Sequence, residues 1–518
     1  RESERQRPNM SRHLFYSPVL LLLLVVMCCN TGGAASSEVR NSALESSEGK
    51  YFFWRELDNE KETVSLLRVP SLVEVDGGVF AVAEAVCTKN DVSEDDDAFT
   101  GIASELLTLD DGQKSEELDG AKLKTQVLEK CPSDGGKCAS EKPAQSVLED
   151  RSEAHVARPT TVVQGSEIYM LAGTYNLDGT TDLSAKTGLL LARGNVSSVG
   201  STKRIYWNDI DALPSFSNIQ QHDSLTDLIG GGGSGVKMKD GTLVLPVEGI
   251  TPNNADGKTV SLVISSMKDN NSWTLSKGMS DGGCSDPSVV EWEKDKLIMM
   301  TACDDGRRRV YESGDKGESW TEALGTLSRV WGNKHEGPEK GVGSGFITAT
   351  IGNGEGDGED NRKVMLVTLP VYSSKNGERN EKGVLHLWLT DNTHIVDIGA
   401  VSSDAEDVTA SSLLYKSGTN NEEKLIALYE KEEGGEESSS LGMVSVLLTE
   451  QLKRVKDVLA TWKKVDDIVS KLCSSSIAAV SASPGTPCSA DKITAGLVGF
   501  LSGNFSQNGW MDEYLGVN

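Results

Sequence analysis

From about residue 50 to residue 450 the chain repeats one unit, strand, turn, strand, with almost no helical periodicity. The runs at 71–84 (SLVEVDGGVFAVAE), 161–171 (TVVQGSEIYML), 235–248 (GVKMKDGTLVLPVE) and 288–300 (SVVEWEKDKLIMM) each set apolar β-formers on both sides of a turn signal. The run at 363–370 (KVMLVTLP) supplies a further strand. One turn is more specific. Residues 313–320 (SGDKGESW) fit the pattern S-x-D-x-G-x-[ST]-W, in which Ser313 and Asp315 bond to turn backbone, Gly317 completes the bend and Trp320 packs between strands. Residues 266–273 (SMKDNNSW) and 108–112 (TLDDG) are worn copies. Hairpins repeated at this density predict an all-β chain folded as a β-propeller. The period changes at Leu452, Val455, Val458, Leu459, Trp462, Val465, Ile468 and Val469, whose spacing of three and four predicts one amphipathic helix over about 450–471. An apolar β-like run at 493–500 (ITAGLVGF) reads as the start of a second β-domain.

Composition excludes some functions. With 78 acidic against 51 basic residues the net charge is −27, which cannot neutralise many phosphates and argues against nucleic acid. The N-terminus carries basic residues, the apolar run 19–29 and small residues at 32–35, the pattern of a secretory signal peptide. Seven cysteines follow it: Cys131 with Cys138 and Cys473 with Cys488 are candidate local disulfides, Cys284 with Cys303 a third, and Cys87 is left over. With six histidines and no C-x-x-C pair, no metal and no cofactor is expected. Sequons at Asn195, Asn270 and Asn504 mark expected glycosylated surface loops.

Residues 67–70 (LRVP) and the 313–320 turn, known as an Asp box, resemble sialidases. The stretches 324–332 (LGTLSRVWG), 385–392 (LHLWLTDN) and 494–502 (TAGLVGFLS) resemble, more closely, the trypanosomal trans-sialidase superfamily. The resemblance implies a six-bladed propeller of the sialidase fold at 37–446, after a signal region at 1–36. A linking helix at 447–472 and the truncated start of a lectin-like β-sandwich at 473–518 would follow.

It also implies a site in which three arginines grip a sugar carboxylate, a Tyr sharpened by a Glu attacks the anomeric carbon, and an Asp serves as acid/base. Carried onto this chain, the first arginine is Arg68. The second falls at Ala302. The third is replaced by Lys382, with Arg379 nearby, and a Lys cannot reproduce a bidentate fork. The nucleophile position is Ala410, its activating Glu is Asp286, the acid/base is Asp91 if a one-residue gap is allowed and Val92 without it, and a sugar-contacting Asp is Arg158. Glu430 matches the Glu that supports the first arginine, and a buried Arg68–Glu430 ion pair is expected. The aromatic clamp that transfer requires falls near Thr181 and Asn380. The damaged set leads us to expect a catalytically silent surface glycoprotein that binds host-cell or matrix proteins or serves as an antigen. Sialylglycans are a further expected partner, and an exo-sialidase or trans-sialidase is the alternative. Membrane attachment would need a C-terminal anchor signal, which this sequence does not show.

Overall fold

The computed structural model describes residues 52–90, 98–108, 115–130, 153–175, 188–199, 202–212, 225–251, 257–266, 273–323, 327, 343–352, 361–375, 378–417, 423–432, 441–477, 501–506 and 509–512. Its strands before the helix fall into six antiparallel blades, most of them built from neighbours in sequence. The innermost strands of blades 1, 2, 4, 5 and 6 are Glu62–Val75, Glu153–Gln164, Cys284–Glu293, Phe346–Ile351 and Val408–Ser417. In blade 3 the inner edge is Thr226–Gly230, and the following Gly233–Ser234 pairs in parallel with Thr160 and Thr161 of blade 2. Blade 6 takes its outer strand, Glu116–Glu117, from the blade-1 region, which ties the two ends of the propeller together. The β-propeller expected from the hairpin pattern, with the six blades that the resemblance implies, is therefore the fold.

A blade is buried on both faces, so the core is distributed as wedges between neighbours rather than gathered at one centre. Phe80, Ile102 and Leu128 of blade 1 meet Ile168, Met170 and Leu190 of blade 2. Equivalent clusters join blades 2 and 3, 3 and 4, 4 and 5, 5 and 6, and 6 and 1. The turns are sequence-encoded. Asp76 and Gly77 both take positive φ, 49° and 75°, which closes a tight hairpin between Glu62–Val75 and Gly78–Lys89.

The Asp box behaves as its residues dictate. The Ser313 hydroxyl accepts the Gly317 N–H at 2.8 Å and Asp315 accepts the Ser319 N–H at 2.9 Å. Hydrogen bonding from Ser319 holds the Asp315 carboxyl below its ordinary range. Gly317 has φ 93°, and a Cβ there would fall 2.7 Å from Val263 of blade 3, so glycine is required twice over. Trp320 packs on the wedge of Val244, Val263, Val289 and Leu297, so this turn joins blades 3 and 4.

The amphipathic stretch forms a helix, Thr449–Ile477, which runs past residue 472; the serines that follow Cys473 carry no helix-breaking Pro or Gly. Leu452, Val455, Leu459, Trp462 and Val465 are buried against Ile351, Leu366 and Leu389 of blade 5 and Leu413 and Ala427 of blade 6. Ile468, at 41% exposure, marks where this contact ends. A polar cluster pins the helix: His394 bonds Asp391 at 3.0 Å and stacks 5.1 Å from Trp462, and Arg362 pairs with Asp391 and, at 3.4 Å, with Asp466. A two-stranded hairpin, Leu501–Ser506 with Gly509–Asp512, follows later in the chain. No helix among the described residues is long and apolar enough to cross a membrane.

Trp462 is fully buried, so Trp462→Ala should cost about 3–5 kcal/mol in denaturant unfolding. Burial by itself raises the Asp391 carboxyl, but His394 and Arg362 pull it down to about 2. Asp391 thus stabilises the fold above its unfolded value, and that contribution is lost as pH falls from about 4 toward 2. Asp391→Asn should be less stable than the parent at pH 7, with the gap closing below pH 4 in unfolding curves taken across that range.

Candidate functional site

All six blades converge on an axial cavity of about 270 Å³. Its wall comprises Val69 and Pro70 of blade 1, Arg158 of blade 2, residues 231–233 leading into blade 3, Asp286, Pro287 and Ser288 of blade 4, Gly343 and Ser344 before blade 5, and Thr409, Ala410, Ser411 and Glu430 of blade 6.

One backbone device recurs around this wall. The inner strands of blades 1, 2 and 4 carry a non-glycine residue of positive φ directly before a proline: Val69 at 51°, Arg158 at 52° and Asp286 at 50°. Each sits in a β-bulge, between Arg68 and Ser71, Ala157 and Thr160, and Ser285 and Ser288. Such a conformation costs roughly 1–3 kcal/mol. At each bulge a carboxylate on the second strand of the preceding blade, buried at Glu84 and Glu248 and half-buried at Glu430, accepts the strained residue's N–H. Glu430 accepts that of Val69 at 2.8 Å, Glu84 that of Arg158 at 2.8 Å and Glu248 that of Asp286 at 2.7 Å. A hydrogen bond to a charged group contributes about 1.5–3 kcal/mol, enough to offset the strain. Burial raises all three carboxyls above their ordinary range, Glu248 to about 7. Gly232, at φ 80°, lets blade 3 approach blade 1, since a Cβ there would lie 2.6 Å from Val69.

The charged residues of the wall form one lattice. The Arg158 guanidinium donates to Glu248 at 2.7 Å, to Asp286 at 3.0 Å and to the Gly231 carbonyl at 2.9 Å, so blades 2, 3 and 4 are locked together across the cavity edge. The Ser285 hydroxyl holds the other oxygen of Asp286 at 2.8 Å. The Cys284–Cys303 disulfide pins the strand that carries Asp286 to the strand that carries Ala302.

The structure therefore brings together Asp286, Ala410 and Glu430, and with them Arg158. Ala410 lies directly opposite Glu430 in the sheet, and its methyl faces the cavity where the resemblance places a Tyr. Ala302 is 4% exposed and pairs with Ser285 and Arg308. Two expectations are corrected. Arg68 makes no buried ion pair with Glu430: it is exposed, its guanidinium bonds to none of the described residues, and Glu430 is aimed at the Val69 N–H instead. Lys382 does not join the site either, because its ammonium turns outward to the Ala405 carbonyl at 2.7 Å. Arg379 lies in the strand Glu378–Thr390 opposite Ser374, and its side chain is outside the described residues.

Asp91, Thr181, Asn270, Cys131, Cys138 and Cys488 lie outside the described residues, as do the side chains of Asn380, Cys473 and Asn504. Asn195 is exposed on the strand Gly188–Val199. Cys284–Cys303 forms as expected, and Cys87 is buried and in no disulfide. Among the described residues no cluster of His, Cys, Asp and Glu could hold a metal.

Sequence reasoning missed Glu84, Glu248 and the partners of Arg158. A signal existed: Pro followed by Ser or Thr recurs at 70–71, 159–160 and 287–288.

Removing Arg158 would strand Glu248 and Asp286 without their cation. Arg158→Ala should therefore lower stability by about 3–5 kcal/mol in denaturant unfolding at pH 7. Because Glu248 is raised to about 7 by burial, the folded chain holds its proton where the unfolded chain has lost it. Stability should fall between about pH 4.5 and 7 from this group, and Glu248→Gln should flatten that slope.

The comparisons with known proteins agree with this geometry. A BNR repeat-like domain matches residues 69–430, and the trans-sialidase C-terminal domain matches residues 493–518. The chain is 33% identical over 469 residues to Sialidase 85-1.1 of Trypanosoma cruzi, covering 87% of this chain and 54% of that protein. It is 35% identical over 321 residues to another Trypanosoma cruzi sialidase, covering 60% of this chain and 26% of that protein. It thus spans about half the length of the first of these relatives and about a quarter of the second. The solved structure of Trypanosoma rangeli sialidase in complex with sialic acid superposes with a TM-score of 0.65 at 31% identity, covering 87% of this chain and 64% of the other. Fold, Asp box and both domain matches make this chain a member of the trypanosomal trans-sialidase superfamily.

Proposed function

We propose that this chain is a sialidase-like surface glycoprotein that does not turn over sialosides and works by binding, in host-cell or matrix adhesion or as a displayed antigen. The observation that carries the reading is the cavity wall at Ala410. A methyl group stands where this chemistry needs a nucleophile. Ala302 supports it, since a buried methyl cannot grip a carboxylate. Arg158 supports it further: its guanidinium is already engaged by two carboxylates and a carbonyl, so it is not available as a substitute. Loss of a catalytic group typically costs roughly 10²–10⁴ in rate, and two such losses multiply where the groups act independently.

Secretion and surface display rest on the apolar run at 19–29 and its flanks, and glycosylation on the exposed Asn195. The second reading is sialoside hydrolysis. What favours it is Arg68, whose exposed guanidinium acts electrostatically on Glu84 and on Glu430 of the cavity wall, and the likeness to a sialidase solved with sialic acid.

The test is turnover of a fluorogenic sialoside, and of sialyl-lactose with a lactose acceptor, by the purified chain. Neither free sialic acid nor a transfer product should form above the no-enzyme rate. Turnover that Arg68→Ala removes would establish the second reading.

A further inference from the structure

One guanidinium serves two carboxylates at the edge of the axial cavity. We propose that this cluster of Arg158, Glu248 and Asp286 links the cavity to pH: a carboxylate ligand enters together with a proton, so the cavity holds it more tightly as the medium turns acid. The proposal rests on the reading of the cavity as a binding site and names how that binding is regulated.

The stoichiometry of the cluster is unequal. Nη2 of Arg158 donates to Glu248 at 2.7 Å and to Asp286 at 3.0 Å, and the Asp286 N–H donates to the same Glu248 oxygen at 2.7 Å. Two carboxylates thus share one nitrogen, and the cluster carries one negative charge in excess. Glu248 is 5% exposed, so its charged form is the costlier to keep out of water, and it is the member on which a proton settles. Its carboxyl agrees: burial raises it to about 7, with Asp286 adding to the rise and Arg158 opposing it.

The cluster abuts the cavity. Arg158 and Asp286 are wall residues, and Glu248 bonds both from outside the wall. With Glu248 ionised, the cluster adds negative charge beside the cavity and opposes an entering carboxylate in a partly desolvated space. With Glu248 protonated, Arg158 and Asp286 balance one to one and that opposition is gone. The other charges nearby leave this change intact. Arg68 acts on Glu84 and Glu430, and the buried Arg308 donates to Ser344 of the wall at 2.8 Å; arginines keep their charge throughout. Glu84 accepts the Arg158 N–H and Glu430 that of Val69; burial raises both carboxyls, and a proton on either acts in the same direction. Linkage is reciprocal, so the ligand must also raise the affinity of the cluster for its proton. The device is particular to this chain, because it needs a guanidinium at 158, where the family resemblance implies an aspartate.

Binding of free N-acetylneuraminic acid, which stays ionised and offers a sialidase no bond to cleave, is measured by calorimetry on the full chain from about pH 8.5 to about pH 6. Its methyl ester is the neutral control. Affinity for the acid should rise about tenfold over this range while that for the ester stays level. Near pH 7, titrations in two buffers of different ionisation enthalpy should show net proton uptake with the acid and none with the ester. Glu248→Gln should remove most of the rise and of the uptake. If that variant does not fold, Asp286→Asn, which takes away the other carboxylate, should move the rise to lower pH. Level affinity for the acid, an equal rise for the ester, or a rise unchanged by the variant that folds overturns the proposal. Failure of the acid to bind at any pH overturns it too, while leaving catalytic silence standing. Turnover of a sialoside overturns that silence alone, because free N-acetylneuraminic acid reports binding whether or not the chain cleaves.

Discussion

A carboxylate buried in one blade and hydrogen-bonded to a strained N–H of the next is the contact on which the centre of this molecule depends. It occurs at Glu430 to Val69, Glu84 to Arg158 and Glu248 to Asp286. Inner strands must bend as they reach the axis, and a bulge with a positive-φ residue before proline makes that bend. The bend is unfavourable for Val, Arg and Asp, and the carboxylate offsets the cost. Because donor and acceptor sit on different blades, the same bond sets the spacing of neighbours. The three glutamates are thus explained by architecture before any chemistry is asked of them, which is why Glu430 keeps its place although Arg68 does not pair with it.

The cavity that these bonds frame lies at the centre of the propeller, and its charges differ from those that the family resemblance implies. Where the family resemblance places a sugar-contacting Asp, Arg158 now carries a guanidinium that ties blades 2, 3 and 4. Where it places a nucleophile and an arginine, there are methyls. These changes are coupled physically. An extra cation inside a buried site is tolerated only with counter-charges, and Glu248 and Asp286 supply them. Asp286, one methylene shorter than the Glu it replaces in that pattern, is held by Arg158 and Ser285 rather than directed at a tyrosine. The disulfide between Cys284 and Cys303 fixes the two strands involved. The hold of Arg158 on Asp286 and Glu248 and the methyls at Ala302 and Ala410 then belong to one redistribution of charge.

Much of the fold was legible along the chain. Hairpin units, the Asp–Gly turn at 76–77, the Asp box and the change of period at Leu452 are local signals, written within about ten residues and governed by backbone preference and hydrophobic spacing. The pairing of Cys284 with Cys303 could be guessed because a hairpin sets them opposite each other. Ala302 and Ala410 were found because both lie beside strands whose apolar pattern fixes register. Arg68 was misjudged for the complementary reason: its partner was inferred from sequence resemblance, and the direction of a long side chain at a strand bulge is not a property of the strand's pattern.

By itself the sequence determined the secondary structure, the repeat that closes into six blades, the helix that lies on blades 5 and 6, and which residue types are absent from the expected catalytic positions. Only the tertiary structure decided which charges meet. Glu84 with Arg158, Glu248 with Asp286 and Glu430 with Val69 are separated by 74, 38 and 361 residues, and no periodicity spans such distances. The ring of blades brings them within 3 Å of one another, removes them from water and so converts ordinary acidic and basic residues into a single electrostatic unit whose sign belongs to the cavity as a whole.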